Sequence, residues 1–196
     1  MKRIDLHVWG PLIALIGLFI LGALLNPAFL APANLSNVLA RSAFIGLIAI
    51  GMTFVITQGG LDLSVGSMAA FLAGITIMAM NALVPIVGEN WGTILLGMGV
   101  ALLGGIAAGY VNGALITKAR IEAFIVTLGT MGIFRSLVTW LADGGTLSLD
   151  SGLRSIYRPV YFGGIGWLTW PIIIFAIPAI IGEWAMRHTR FGRHVE

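Results

Sequence analysis

A break in hydrophobicity between two long apolar runs decides the fold, and it reads Gln58-Gly59-Gly60-Leu61-Asp62-Leu63-Ser64-Val65-Gly66-Ser67. The runs on either side, Val38–Thr57 and Ser67–Val87, are predicted to be helices. Three glycines within eight positions end a helix, because glycine loses the most conformational freedom in one. Asp62 nevertheless lies between leucines, which a freely solvated loop does not require. We therefore predict a broken helix around residues 58–67, packed near the axis of a helical bundle.

Six apolar segments of the sequence are each about as long as the roughly 20 residues that cross a bilayer. Besides the two that flank the break, they are Trp9–Leu25, Thr93–Thr117, Ala123–Ala142 and Trp167–Met186. Composition agrees, since 58% of the 196 residues are hydrophobic and only 10% are charged, against about 25% charged in soluble domains. The predicted fold class is all-α, a polytopic helical membrane protein with residues 1–196 in one domain.

Basic residues lie in short clusters at the ends of these segments. Lys2 and Arg3 precede the first segment, Lys118 and Arg120 separate the fourth from the fifth, and further arginines follow the sixth. With a cytoplasmic N-terminus, six crossings place all these clusters in the cytoplasm, as the positive-inside rule requires. They place the end of the fifth segment on the outer side, followed there by a long polar loop over residues 143–166. The same clustering argues against a nucleic-acid partner, despite a pI near 9.8. Membrane lipid is the expected surrounding.

Several function classes are excluded by residues that the sequence lacks. There are no cysteines, and the three histidines lie near the two ends, so neither a disulfide framework nor a metal site is expected. No constellation of nucleophile and base is apparent. The sequence also lacks the phosphate-binding loop Gly-x-x-x-x-Gly-Lys-Ser/Thr. We therefore expect no cofactor and no enzymatic activity, and any ATP hydrolysis must come from a separate subunit.

Small residues recur in the fourth segment. Gly105, Gly109 and Gly113 are spaced four apart, a spacing that lets helix backbones approach closely in membranes. Ordinary helix packing is the predicted role.

Four motifs bring a resemblance to a known family. Residues 56–67 resemble the Gly-Gly-Ile-Asp-Leu-Ser-Val-Gly signature of ribose-type ABC sugar permeases, and residues 112–118 are similar to the family's Asn-Gly-x-Leu-Ile segment. Residues 124–131, followed by Arg135, look like its Pro-Phe-Ile-x-Thr-Leu-Gly-Thr-Met stretch. Residues 189–193 are similar to the Thr-x-x-Gly-Arg that opens its cytoplasmic coupling region. Four motifs in the same order are far more specific than any one alone.

The resemblance implies a fold of about ten transmembrane helices that works as a dimer of permease subunits in the inner (plasma) membrane. It also implies two cytoplasmic ATP-binding subunits and a soluble sugar-binding protein, periplasmic or extracellular. The implied cargo is ribose or a similar monosaccharide. The chain differs from the family pattern at Gln58, before the paired glycines, and at Glu122-Ala123, where Pro-Pro is common. It stops at Glu196 before the family's coupling helix, so we expect the N-terminal part of a longer domain.

The candidate residues for the translocation path or the broken helix are polar residues and glycines in or near the spans. Asp62 either lines the path, with Ser64 and Ser67 as hydroxyl partners, or caps the helix that follows. Asn112 either faces the path or joins helices by a hydrogen bond. The complete set is Gly59, Gly60, Asp62, Ser64, Gly66, Ser67, Asn112 and Arg135.

Two further side chains near the outer end of the fifth segment have two interpretations each. Arg135 either faces the cavity, or pairs with a carboxylate such as Asp143, or extends to the outer interface. Trp140 either stacks on a sugar ring or anchors the helix at the interface.

The candidate residues for coupling to an ATPase follow the sixth segment, and they are Arg190, Phe191, Gly192 and Arg193. Their alternative role is to anchor the last helix as positive-inside residues. The alternative function for the whole chain is a secondary transporter or channel for a small polar solute. Such a protein usually places ionisable groups at the midplane. Asp62 is the one carboxylate expected within the membrane, which favours the ATP-driven permease.

Overall fold

The computed structural model describes residues 6–166, 168–189 and 192, and this part of the chain is mainly helical. A single 3-10 turn, Pro27–Leu30, links the first two helices. The α-helices are α1 (Leu6–Leu25), α2 (Pro32–Thr57), α3 (Val65–Val87), α4 (Trp91–Thr117), α5 (Ala123–Leu141), α6 (Ser151–Phe162) and α7 (Trp170–His188). Strands β1 (Gly164–Ile165) and β2 (Leu168–Thr169) form a small antiparallel hairpin between α6 and α7.

Five of these helices are long and apolar enough to cross a membrane, judged by length and composition: α2, α3, α4, α5 and α7. They coincide with five of the six predicted spans. The remaining prediction falls on α1, whose apolar part Trp9–Leu25 is shorter than the other five. The prediction of a polytopic helical membrane protein is confirmed. Most large apolar side chains point outward, as expected where lipid rather than water surrounds the helices.

The first packing unit is the bundle in which α3 lies against both α4 and α5. Glycines on α4 lie directly against large side chains of α3. A Cβ at Gly97 would overlap Met80, and one at Gly104 would lie 2.8 Å from the Leu72 Cδ2. Gly109 and Gly113, by contrast, have open space where a side chain would be. The glycines that bring these two helices together are therefore nearer the start of α4 than the predicted spacing suggested.

The second packing unit is the pair formed by α2 and α7. Gly46 of α2 lies under the ring of Phe175, whose Cε2 would be 2.6 Å from an added Cβ. A Cβ added at Gly182 of α7 would likewise lie 3.3 Å from the Ile50 Cγ2. The pair therefore meets through small residues that accept large side chains from both helices.

The segment after α5 is more ordered than the sequence indicated. We predicted a long polar loop over residues 143–166, and this was wrong, because the segment contains α6 and β1. Asp150 caps α6 by accepting hydrogen bonds from the amides of Gly152 at 2.8 Å and Leu153 at 3.3 Å. Leu153 is fully buried against Met80 and Ile94. The apolar side of α6 thus covers one end of the α3–α4 contact.

Candidate functional site

The paired glycines at the break terminate α2. Gly59 has a φ of +76°, which glycine adopts without steric penalty. Its amide donates to the carbonyl of Ile56 at 2.9 Å, and the amide of Gly60 donates to that of Val55 at 2.9 Å. These two bonds are the Schellman pattern that satisfies the last carbonyls of a helix. The chain then runs irregularly to Ser64, and α3 starts at Val65.

The carboxylate of Asp62 organises the start of α3. Its Oδ1 accepts hydrogen bonds from the Ser64 amide at 2.8 Å and from the Ser64 hydroxyl at 2.6 Å. Ser64 is fully buried, whereas Asp62 is half-buried. These two bonds form a local Asx-type turn just before the helix. They do not form a cap, because the N-cap residue of α3 is Ser64 and no side-chain cap hydrogen bond is made there. The carboxylate remains partly accessible, so it can also meet a solute.

A chain of hydrogen bonds joins the break to α4. The Nδ2 of Asn112 donates to the Ser64 hydroxyl at 3.1 Å. A serine hydroxyl has one hydrogen, and an ionised carboxylate only accepts, so Ser64 donates to Asp62 and accepts from Asn112. Asn112 is 5% exposed, and its Oδ1 is buried without a hydrogen-bond partner among the described residues. The predicted helix-joining role therefore accounts for the side-chain nitrogen of Asn112, which bonds to Ser64, but not for its side-chain oxygen.

The break also contacts α5 through Thr127, which is almost completely buried. Its hydroxyl lies 2.8 Å from the Ala123 carbonyl and 3.4 Å from the Leu61 carbonyl. Having one hydrogen, it bonds mainly to its own helix and approaches Leu61 more weakly. Thr127 is four residues after the start of α5 and Asn112 five before the end of α4. At about 1.5 Å per residue, the break lies roughly 6–8 Å inside the helix ends.

The first turn of α3 is packed against the protein on one side and exposed on the other. The hydroxyl of Ser67 donates to the Ser64 carbonyl at 2.9 Å, so it is used locally. Gly66 is exposed, and no atom lies within 4 Å of where its side chain would be. The break thus packs on α4 through Ser64 and on α5 through Leu61, and it leaves Gly66 open to the surroundings.

Arg135 does not belong to this cluster. It lies on α5 eight residues beyond Thr127, which is about 12 Å along the helix. Its side chain is exposed, and no ion pair with Asp143 is found in the part of the chain that the structure describes. Both residues line one open cavity at the end of α5.

The predicted coupling residues are mostly outside the described residues, which is the case for Arg190, Phe191 and Arg193. Gly192 is described, and its amide donates to the Thr189 hydroxyl at 3.4 Å. Among the described residues, no group of three or more histidine, aspartate or glutamate side chains could hold a metal ion.

Sequence reasoning missed two residues that position these segments. Thr127 was quoted only as part of a motif, although a threonine hydroxyl one turn into a helix can approach a backbone carbonyl of a glycine-rich break, as it does at Leu61. Asn81 donates to the Ser148 carbonyl at 2.9 Å and accepts from the Asp150 amide at 2.9 Å. It ties the segment before α6 to α3, and no local pattern pointed to a contact so distant in sequence.

Comparison with known proteins places these features in a family. The profile described as "Branched-chain amino acid transport system / permease component" matches residues 34–196. This chain belongs to that permease family. The match includes the break, Asn112 and Thr127, and a multi-pass membrane protein is the form that both the family and the five apolar helices support.

Individual relatives are named for different cargoes. The chain is 38% identical over 187 residues to the ribose import permease protein of Bacillus subtilis, covering 94% of this chain and 54% of that protein. It is 31% identical to the Haemophilus influenzae ribose import permease protein, covering 93% and 54%. It is 34% identical to the autoinducer 2 import system permease protein of Photorhabdus luminescens, covering 93% and 52%. The chain spans about half the length of the curated relatives it matches. No solved structure matches.

Proposed function

We propose that this chain forms part of the membrane-spanning permease subunit of an ATP-binding-cassette importer for a simple sugar, ribose or a similar monosaccharide. The observation that carries the proposal is the break at residues 58–67, held inside the helix ends by Asn112 and Thr127. Irregular backbone at such a depth is tolerated where it packs in protein or lines a cavity. Broken helices of this kind are common at transport sites.

The proposed path suits a neutral cargo rich in hydroxyl groups. A passage for such a cargo needs weakly polar walls, because a tightly binding site would slow release. Serine, threonine, asparagine and a single carboxylate at the break fit this demand. Ribose import by two relatives supports a sugar, and autoinducer 2 import by another keeps the choice among polar, sugar-like cargoes open.

The proposed partners follow from the family. Cytoplasmic ATP-binding subunits would supply the energy, a soluble binding protein on the outer side would deliver the sugar, and a second permease subunit would complete the path. Arg190, Phe191, Gly192 and Arg193 would start the surface that meets the ATP-binding subunits. The proposed location is the inner membrane, with the N-terminus in the cytoplasm.

Uptake of radiolabelled ribose tests the proposal in cells that carry or lack the native gene product. We expect uptake to need the gene, to persist when a protonophore collapses the ion gradient, and to stop when ATP is depleted. Uptake abolished by the protonophore while ATP remains high would instead identify a secondary transporter. Unchanged ribose uptake in the deletion strain would contradict the proposed cargo.

A further inference from the structure

The outer end of α5 borders an open cavity of about 540 Å³. This volume is within the range of about 300–1,000 Å³ typical of small-molecule sites. Its lining combines polar and apolar surface in similar amounts, and it consists of Arg135, Ser136, Thr139, Trp140, Asp143 and Gly144.

These side chains share one side of the helix. Residues 135, 136, 139 and 140 are spaced so that about 100° per residue keeps them within an arc of roughly 140°, and Asp143 follows in the turn that ends the helix. All of them are exposed, and Trp140 is 74% exposed. Hydrocarbon cannot satisfy a guanidinium or a carboxylate, and such groups within membrane proteins almost always face the interior or a water-filled cavity. This side of α5 therefore faces polar surroundings rather than lipid tails.

The end of α5 has an unusual residue in its left-handed position. Asp143 has a φ of +49°; its amide donates to the Trp140 carbonyl and the amide of Gly144 to that of Thr139, each at 3.0 Å. This is the same termination that α2 makes with Gly59, at a position where glycine is usual. An aspartate there accepts backbone strain that a glycine avoids. Strained residues that persist are often found at functional sites.

We propose that this cavity is a binding site for a neutral, polyhydroxylated solute on its way into the path, with Arg135 and Asp143 binding different hydroxyl groups of the solute. The inference rests on the proposed function and adds a location for the sugar outside the break. The guanidinium only donates hydrogen bonds and the carboxylate only accepts them, so together they satisfy hydroxyl groups that do both. Their opposite charges cancel, which favours a neutral solute.

The remaining side chains complete the site. The Thr139 hydroxyl donates to the Arg135 carbonyl at 2.9 Å, which leaves its oxygen free to accept from the solute. Trp140 offers a wide apolar face for the carbon side of a sugar ring. The site is open, which suits a solute that must leave again.

The test uses the native gene product in lipid nanodiscs, with D-ribose as the probe and saturation-transfer difference NMR as the readout. We expect the wild type to give a ribose signal, and Asp143→Gly and Arg135→Gln to reduce it at least fivefold. Asp143→Gly also relieves the strained position, so its Tm should stay equal or rise while binding falls. A purely structural Asp143 would not give this combination. Trp140→Leu should weaken the signal, whereas the matched control Trp184→Leu, at an exposed tryptophan of α7, should not.

Failure of the inference and failure of the proposed function have different signatures. If ATP-driven ribose uptake depends on the wild-type gene but Asp143→Gly transports and binds ribose normally, the cavity is not the site and this inference is overturned. If the wild type shows no gene-dependent ribose uptake, the proposed function itself fails. Absence of any ribose signal from a wild type that does transport also overturns the inference.

Discussion

The α3–α4–α5 bundle and the α2–α7 pair are built differently, although both consist of helices long and apolar enough to cross a membrane. The bundle combines close packing at Gly97 with the hydrogen bond from Asn112 to Ser64. The pair meets through Gly46 and Gly182, and no side-chain hydrogen bond joins α2 to α7 among the described residues. A hydrogen bond constrains both the distance and the direction between its two groups. Apolar contacts between helices in lipid are less directional, so they constrain the relative position of two helices less closely. We infer that the bundle fixes the position of the break.

The largest expected effect comes from filling the closest contact of the bundle. Gly97→Val would drive a branched side chain into Met80, and we expect it to lower the free energy of unfolding by about 3 kcal/mol. Gly99→Val is the control, since Gly99 lies two residues away with nothing within 4 Å. The measurement is denaturant unfolding in mixed micelles. Equal effects at the two positions would mean that α4 does not meet α3 along this face.

The second effect concerns the hydrogen bonds at the break. Ser64→Ala leaves the Asn112 amide and the Asp62 carboxylate each short of a buried partner, and we expect a loss of about 1–2 kcal/mol. A double-mutant cycle with Asn112→Ala should give a coupling energy of about 0.6 kcal/mol or more, the average for such bonds between membrane helices. A coupling energy near zero would mean that the hydrogen bond from Asn112 to Ser64 does not stabilise the bundle.

The smallest effect is expected in the α2–α7 pair. Gly46→Ala would press on the ring edge of Phe175, which can turn aside, so we expect a loss of about 1 kcal/mol or less. Gly51→Ala on the same helix meets open space and should be neutral or slightly stabilising, because alanine favours helix more than glycine does. If Gly46→Ala lowered the free energy of unfolding more than Ser64→Ala does, the α2–α7 pair would be the more tightly constrained of the two units, which would contradict this account.

The sequence predicted the long elements well and the contacts between them poorly. Hydropathy located five spans because bilayer thickness alone sets the length of an apolar helix. The glycines at 59 and 60 located the end of α2 because backbone conformation is local. By contrast, α6 was mistaken for a loop, although Asp150 followed by apolar residues at 153, 156 and 160 is a recognisable helix start.

The candidate site was predicted in composition but not in arrangement. Asp62 and Ser64 are close in sequence, so their hydrogen bonds follow from turn chemistry. That Asn112 reaches Ser64, or that Asn81 holds the segment before α6, depends on how helices pack, which no periodicity of one helix specifies. Arg135 was grouped with the break by its charge, and the structure places it at a separate cavity.

The most direct test of the central claim, that the break lines a polar path, uses the absence of cysteine from this sequence. Gly66→Cys supplies one thiol at the open side of the break, and Arg120→Cys supplies a reference at the connection between α4 and α5. We predict that a membrane-impermeant maleimide labels both positions from the cytoplasmic side, and that ribose turnover changes the labelling rate at residue 66 only. An unreactive thiol at residue 66 beside a reactive one at residue 120 would place the break in lipid or sealed protein and contradict the account.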